Sequence, residues 1–339
     1  MKKTKVCAAA ALLIWTAFML FAVPGTAHAD FAYDEVRMEV DKDVPEKGTL
    51  EELPVPTFGK SIKSYCEVYL PYGYDPDDKT TAYDVVIMLP GASGSWTTFF
   101  TESFAGMTGK EALDSVFYYK QAKPAIVVTT ASFRTMKMNI QTLMVQYIRD
   151  IVRELDAHYN TYGNPEMKVA LPDGEALRDH YVLTGFCYSA DLLISVLIAP
   201  CSDLFSRFGV YSTLINTSDA FLKEIEKANR EHPIRYIMTS SGTKEQKFKW
   251  HTDQFGTRMR SIRIPVYNFT YTGVEHDWPD NALASLYNVV QFMCPGDGAN
   301  PLEAPFFEGQ NPRPHTEGKV IGWRIRSVVS DGFFTVKAD

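Results

Sequence analysis

The sequence predicts an α/β protein with a mostly parallel central sheet and helices on both of its faces. Two observations carry that expectation. Short apolar runs recur along the chain, and a helical stretch follows each of them. The runs are continuous rather than alternating apolar with polar, the pattern of strands buried on both sides, as in a parallel sheet covered by helices. Length allows it as well: about 310 residues remain after the leader described next, enough for one large α/β core.

Residues 1–29 start Met1-Lys2-Lys3-Thr4-Lys5, run apolar from Val6 to about Val23, and end Ala27-His28-Ala29. A positive start, an apolar stretch and a small-x-small end predict a secretory signal peptide cleaved after Ala29, and hence a secreted protein. The apolar run falls slightly short of the roughly 20 residues a membrane span needs. No later segment is apolar enough to span, so no stable span is expected once the leader is removed. Residues 30–47 are mixed and charged and read as an N-terminal arm, with the main domain at 48–295.

Within that domain, Ser64–Leu70 is expected to be a strand, closed by the turn-rich Pro71–Asp78. The buried core runs are Val85–Leu89, Ala125–Val128, Tyr181–Leu183, Tyr236–Met238 and Val266–Phe269. The clearest helix covers about Gln141–Tyr159, where Leu143, Tyr147, Ile148, Ile151 and Leu155 share a face while Arg149, Asp150, Arg153 and Glu154 lie largely elsewhere. A second helix runs from about Ser218, a natural N-cap, through Ala228, and a third covers about Asp280–Met293. Residues 296–339 form a C-terminal extension: a Pro-, Gly- and Asn-rich stretch, then Lys319–Val329 and Phe333–Lys337 on either side of Ser330-Asp331-Gly332, the pattern of a β-hairpin.

The chain holds 34 Lys and Arg against 41 Asp and Glu. The leader takes three lysines and no acids, leaving 31 against 41 and a net charge of −10. That balance argues against nucleic acid or anionic lipid as a partner. Cys66, Cys187, Cys201 and Cys294 remain after the leader, an even count that permits disulfides without forming a dense framework. Cys187 and Cys201 flank one expected helix, where a rise of ~1.5 Å per residue separates them well beyond the ~7 Å Cα limit for a bridge.

The most informative segment is Tyr181-Val182-Leu183-Thr184-Gly185-Phe186-Cys187-Tyr188-Ser189-Ala190, an apolar strand running into Gly-x-Cys-x-Ser-Ala and then a helical run from Asp191 to Ala199. A sharp strand-to-helix turn of this kind lifts its central side chain above the sheet and demands small residues two positions to either side. Gly185 and Ser189 meet that demand. Cys187 at the tip is the candidate nucleophile, beside a helix N-terminus that favours negative charge. A shifted nucleophile, Ser189, would place Asp191 where glycine is wanted.

A nucleophile needs a base, and the base an orienting acid. Of the seven histidines, His276 is the candidate base, because Thr272–Trp278 follows the last apolar strand, at the sheet end where ligands bind. Glu245 is the candidate acid, in the loop after Tyr236–Met238, and the alternative is a solvated glutamate beside Lys244. The order nucleophile, acid, histidine matches one known triad order. Backbone N–H groups of Ala92, after Pro90-Gly91, and of Tyr188 are candidates to hold a developing oxyanion. Trp96 and Trp278 are candidate substrate-binding residues, and Phe99, Phe100, Phe133 and Trp250 either join them in a cleft or belong to the core. The chain has no Walker loop, no G-x-G-x-x-G after a strand and no H-E-x-x-H, so neither a metal nor a nucleotide cofactor is expected.

At these residues the chain resembles secreted carbohydrate esterases of the feruloyl-esterase and acetyl-xylan-esterase type, relatives of esterase D, over roughly 48–295. Val68–Asp75 looks like the family's entry strand and turn, and Leu89-Pro90-Gly91 stands where the family reads His-Gly. Arg178-Asp179-His180 through Gly185-Phe186-Cys187-Tyr188-Ser189 is similar to the segment leading into its Gly-Phe-Ser-Met-Gly elbow. Gly242-Thr243-Lys244-Glu245 and His276-Asp277-Trp278 match its Gly-Thr-x-Asp and His-x-Trp blocks. The resemblance implies an α/β-hydrolase fold and a Cys187–His276–Glu245 triad acting on acetyl or feruloyl esters, polysaccharide-linked or small. The departures fall on the catalytic positions: Cys187 for serine, Ser189 for glycine, Glu245 for aspartate and Pro90 for histidine. Two functions therefore stay open, an ester hydrolase and a non-catalytic relative that binds glycan or protein and in which Cys187 is a small buried hydrophobe.

Overall fold

The structure, a computed structural model, describes residues 31–338 apart from 58–63, 93–94, 96–97, 102–107, 139, 273–275, 277–289, 291–293, 295–319 and 331–332. The leader, the expected helix at 280–293 and the Pro-rich stretch thus lie outside the described residues, save Val290 and Cys294.

Eleven strands form one sheet: β1 (Phe31–Asp41), β2 (Thr49–Val55), β3 (Ser64–Leu70), β4 (Asp84–Leu89), β5 (Ala125–Thr130), β6 (Tyr181–Phe186), β7 (Arg207–Tyr211), β8 (Tyr236–Gly242), β9 (Val266–Thr272), β10 (Val320–Ser330) and β11 (Phe333–Ala338). Their spatial order is β1-β10-β11-β9-β8-β7-β6-β4-β5-β3-β2. The block from β5 through β4, β6, β7 and β8 to β9 is parallel throughout. Antiparallel β2 and β3 close one side. On the other, β11 pairs in parallel with β9, and β10 joins β11 to β1 in antiparallel register.

Every residue of β5, β6 and β8 is buried, as continuous apolar runs require when helices cover both faces of a parallel sheet. Helix α1 (Gly109–Tyr118) starts at a reciprocal cap: Thr108 Oγ accepts from Glu111 N at 3.1 Å, and Glu111 Oε2 accepts from Thr108 N at 2.7 Å. Helix α2 (Gln141–His158) buries Met144, Tyr147, Ile148, Ile151, Val152 and Leu155. Asp150 departs from the expected outward face and is buried. It accepts from Thr57 Oγ1 at 2.6 Å and Gln146 Nε2 at 2.8 Å and pairs with Arg153, so its charge is not left unpaired in the core. Helix α3 (Tyr188–Leu192) runs on into a π-helical turn at Leu193–Leu197. Helix α4 (Asp219–Glu231) is capped by Ser218, and α5 (Gln246–Ser261) follows β8.

Phe99, Phe100 and Phe133 are each 1% exposed and belong to the core, not to a cleft. Cys66, Cys187, Cys201 and Cys294 are all free thiols. Cys66, Cys201 and Cys294 are buried, and burial pushes the Cys66 and Cys201 thiols up to about 12. No helix among the described residues is long and apolar enough to cross a membrane.

Candidate active site

Adjacent strands β4, β6, β7, β8 and β9 all end at the same edge of the sheet, and Cys187, Ser212, Glu245 and His276, which follow β6, β7, β8 and β9 in the chain, meet there. After β6 the chain turns at Cys187, which takes a left-handed φ of 54° with ψ −115°. For a residue with a Cβ this conformation costs on the order of 1–2 kcal/mol. Two hydrogen bonds hold it: Cys187 N donates to Tyr211 O at 2.9 Å, and Asp191 N donates to Cys187 O at 3.1 Å. The turn folds Ser189 back over Gly185 so closely that a Cβ at Gly185 would lie 2.9 Å from the carbonyl carbon and oxygen of Ser189 and from Leu193 Cδ1. Gly185→Ala is therefore expected to destabilise the protein by about 1–3 kcal/mol, as overpacking does. A lowered urea midpoint with an unchanged slope checks it.

Ser189 is wholly buried, and its hydroxyl donates to Pro90 O at 2.5 Å. That rules it out as a shifted nucleophile and links two of the family departures: the serine in the glycine position is tied to the proline in the histidine position. Asp191 Oδ1 accepts from Thr213 Oγ1 at 2.5 Å, Leu214 N at 2.8 Å and Ile215 N at 3.0 Å, binding the segment after β7 to the helix that carries the turn.

The three residues picked out in the sequence come together. His276 Nε2 lies 3.1 Å from Cys187 Sγ, and its Nδ1 lies 2.6 Å from Glu245 Oε2. Glu245 is buried, whereas Cys187 and His276 are half-buried. Glu245 is thus not the solvated surface residue of the alternative reading. Its other oxygen, Oε1, accepts from Ser212 Oγ and from Gly242 N, each at 2.5 Å. The imidazole stacks on two rings, Phe248 at 3.4 Å and 9° and Phe186 at 5.1 Å and 18° between planes. Burial alone would lower the pKa of His276. Its hydrogen bonds to Cys187 and Glu245, with their charges, outweigh that and raise it to about 9.

The loop after β4 lies against the turn: a Cβ on Gly91 would be 3.3 Å from Phe186 Cδ1 and 3.8 Å from Cys187 Cβ. Ala92 follows, its carbonyl accepting from Ser132 Oγ at 3.0 Å. Tyr188 opens α3, where first-turn N–H groups lack intrahelical acceptors. Trp96 and Trp278 lie outside the described residues, and Trp250 is exposed. No group of three or more His, Cys, Asp and Glu suited to a metal occurs among the described residues. Ser212, the Gly242 N–H, Phe248 and Phe186 are the site groups that sequence reasoning missed.

No family model matches the chain. A stretch of 165 residues, 46% of this chain, is 25% identical to part of endo-1,4-beta-xylanase Y of Acetivibrio thermocellus and spans only 14% of that protein. Among solved structures, a serine-to-alanine variant of the feruloyl esterase module from Clostridium thermocellum, complexed with sinapinate, is similar with a TM-score of 0.59 at 19% identity, over 84% of this chain and 99% of that one. A ferulic acid esterase from the anaerobic fungus Anaeromyces mucronatus gives a TM-score of 0.56 at 18% identity, over 74% and 91%. The chain has the α/β-hydrolase fold.

Proposed function

We propose that this protein is an exported esterase that cleaves acyl esters, of the acetyl or feruloyl kind carried by plant polysaccharide, through a Cys187–His276–Glu245 triad. The observation that carries the proposal is the unbroken contact from Cys187 Sγ through both ring nitrogens of His276 to Glu245 Oε2. The feruloyl esterases among the structural neighbours and the stretch of likeness to a xylanase support the substrate class.

In the proposed reaction the proton shared by Cys187 Sγ and His276 Nε2 rests on the imidazole as sulfur adds to the ester carbonyl carbon. The carbonyl π pair moves onto oxygen, where the N–H groups of Ala92 and Tyr188 hold the charge. The pair returns, the C–O bond to the alcohol breaks, and His276 gives its proton to the departing alkoxide. Water then adds to the thioester carbonyl carbon, its proton passing to Nε2; the C–S bond breaks with its electron pair going to sulfur, and the acid leaves with the Nε2 proton again shared with sulfur. Glu245 keeps Nδ1 protonated and offsets the imidazolium charge throughout.

A relative that only binds would pack Cys187 away from solvent, as Cys66, Cys201 and Cys294 are packed. A half-buried sulfur touching an imidazole favours chemistry instead. Mixing the protein with p-nitrophenyl acetate and quenching early is expected to give a burst of nitrophenol and an acyl adduct on Cys187 that hydroxylamine removes. Steady turnover with no adduct at that residue by mass spectrometry would overturn the proposal.

A further inference from the structure

We infer that Ser212 is a positioning residue that lets a glutamate serve as the acid of this site, a role resting on the triad reading above. Ser212 follows β7 directly, and its hydroxyl donates to Glu245 Oε1 at 2.5 Å while Gly242 N donates to the same oxygen at 2.5 Å. With Oε1 so engaged, Oε2 is the oxygen turned to His276 Nδ1, 2.6 Å away. Glutamate has one more rotatable bond than aspartate, so its carboxylate needs more fixing to hold a single orientation. Two donors on one oxygen supply it.

The backbone points the same way. Ser212 has a left-handed φ of 51°, a conformation that glycine takes freely and serine takes at a cost. A strained serine where glycine would fit indicates that its side chain has work to do. Its frame is firm, because Ser212 N donates to Ser240 O at 2.8 Å and Thr213 N to Thr252 Oγ1 at 3.2 Å. The neighbouring Tyr211 O accepts from Cys187 N at 2.9 Å. The end of β7 therefore touches the nucleophile through Tyr211 and the acid through Ser212, and it sets the two relative to each other.

Ser212→Gly removes the hydroxyl and relieves the backbone, while Ser212→Ala removes the hydroxyl and keeps the strain. Both are expected to lower kcat on p-nitrophenyl acetate about ten- to a hundredfold, the worth of a hydrogen bond to a charged group, with KM unchanged. The thermal midpoint of the glycine variant should hold or rise. Placed in a Glu245→Ala background, Ser212→Gly should cost nothing further, since nothing is left to position. Full kcat in Ser212→Gly, or an equal loss with and without Glu245, overturns the inference. Should Cys187→Ala match the wild type in turnover, the esterase reading fails and labelling of Cys187 by iodoacetamide decides Ser212 separately. Slower labelling in Ser212→Gly upholds its role, and an unchanged rate refutes it.

Discussion

Replacing Cys187 with alanine is expected to lower kcat for an aryl ester by about 10⁵- to 10⁶-fold, the scale of losing a nucleophile from an assembled triad. Among the described residues no neighbouring group stands ready to substitute. Ser189 is sealed, with its hydroxyl committed to Pro90 O, and the other described thiols are buried. Cys187→Ser should fall between wild type and alanine, because a hydroxyl surrenders its proton less readily than a thiol and the shorter C–O bond draws the nucleophile back from His276. Steady-state rates of the three proteins, each shown folded by its thermal midpoint, decide the matter. Equal turnover in all three would assign the activity elsewhere.

Glu245→Gln is expected to reduce kcat by about 10³- to 10⁴-fold while leaving the fold intact. Ser212 Oγ and Gly242 N both donate to Oε1, so the amide oxygen of glutamine is drawn to that place. The amide nitrogen then faces His276 Nδ1. Donor would meet donor, and the ring must turn its proton to Nε2, the atom that has to accept from Cys187. The charge that helps hold His276 near 9 is lost with the carboxylate, so the ring's pKa should fall. Imidazole titration by NMR alongside the kinetics tests both effects. A variant within tenfold of wild-type kcat would show that the Glu245 contact is incidental.

Much of this architecture can be read in the chain itself. β4, β5, β6, β8 and β9 announce themselves as short continuous apolar runs, and the turn at Cys187 by small residues between a strand and a helix. β7 escapes because Arg207 opens it and Gly209 breaks an already short run of Arg-Phe-Gly-Val-Tyr. Gly209 is required there, since a Cβ would lie 2.1 Å from the Tyr211 hydroxyl, so packing rather than strand propensity set the residue. With β7 unread, Ser212 could not be placed. The bond from Ser189 to Pro90 joins residues 99 apart, a pairing that only the folded sheet creates. Phe248 sits in the polar run Gln246-Lys247-Phe248-Lys249, where nothing marks its stacking on His276. Burial of Asp150 was hidden in the same way, because Thr57, 93 residues away, reaches it only by tertiary contact.

The pairing of β11 with β9 ties the first and last described strands to the candidate site. β9 stops at Thr272, four residues before His276, and Lys337 is registered beside Thr272 itself. Through β10 that seam continues to β1, so the first and last strands brace one flank of the strand that leads to the base. Clipping the protein back to residues 48–295 would strip this bracing and leave the main-chain donors and acceptors of β9 open along one side. Removal of β11 by proteolysis is thus expected to loosen the strand that precedes His276.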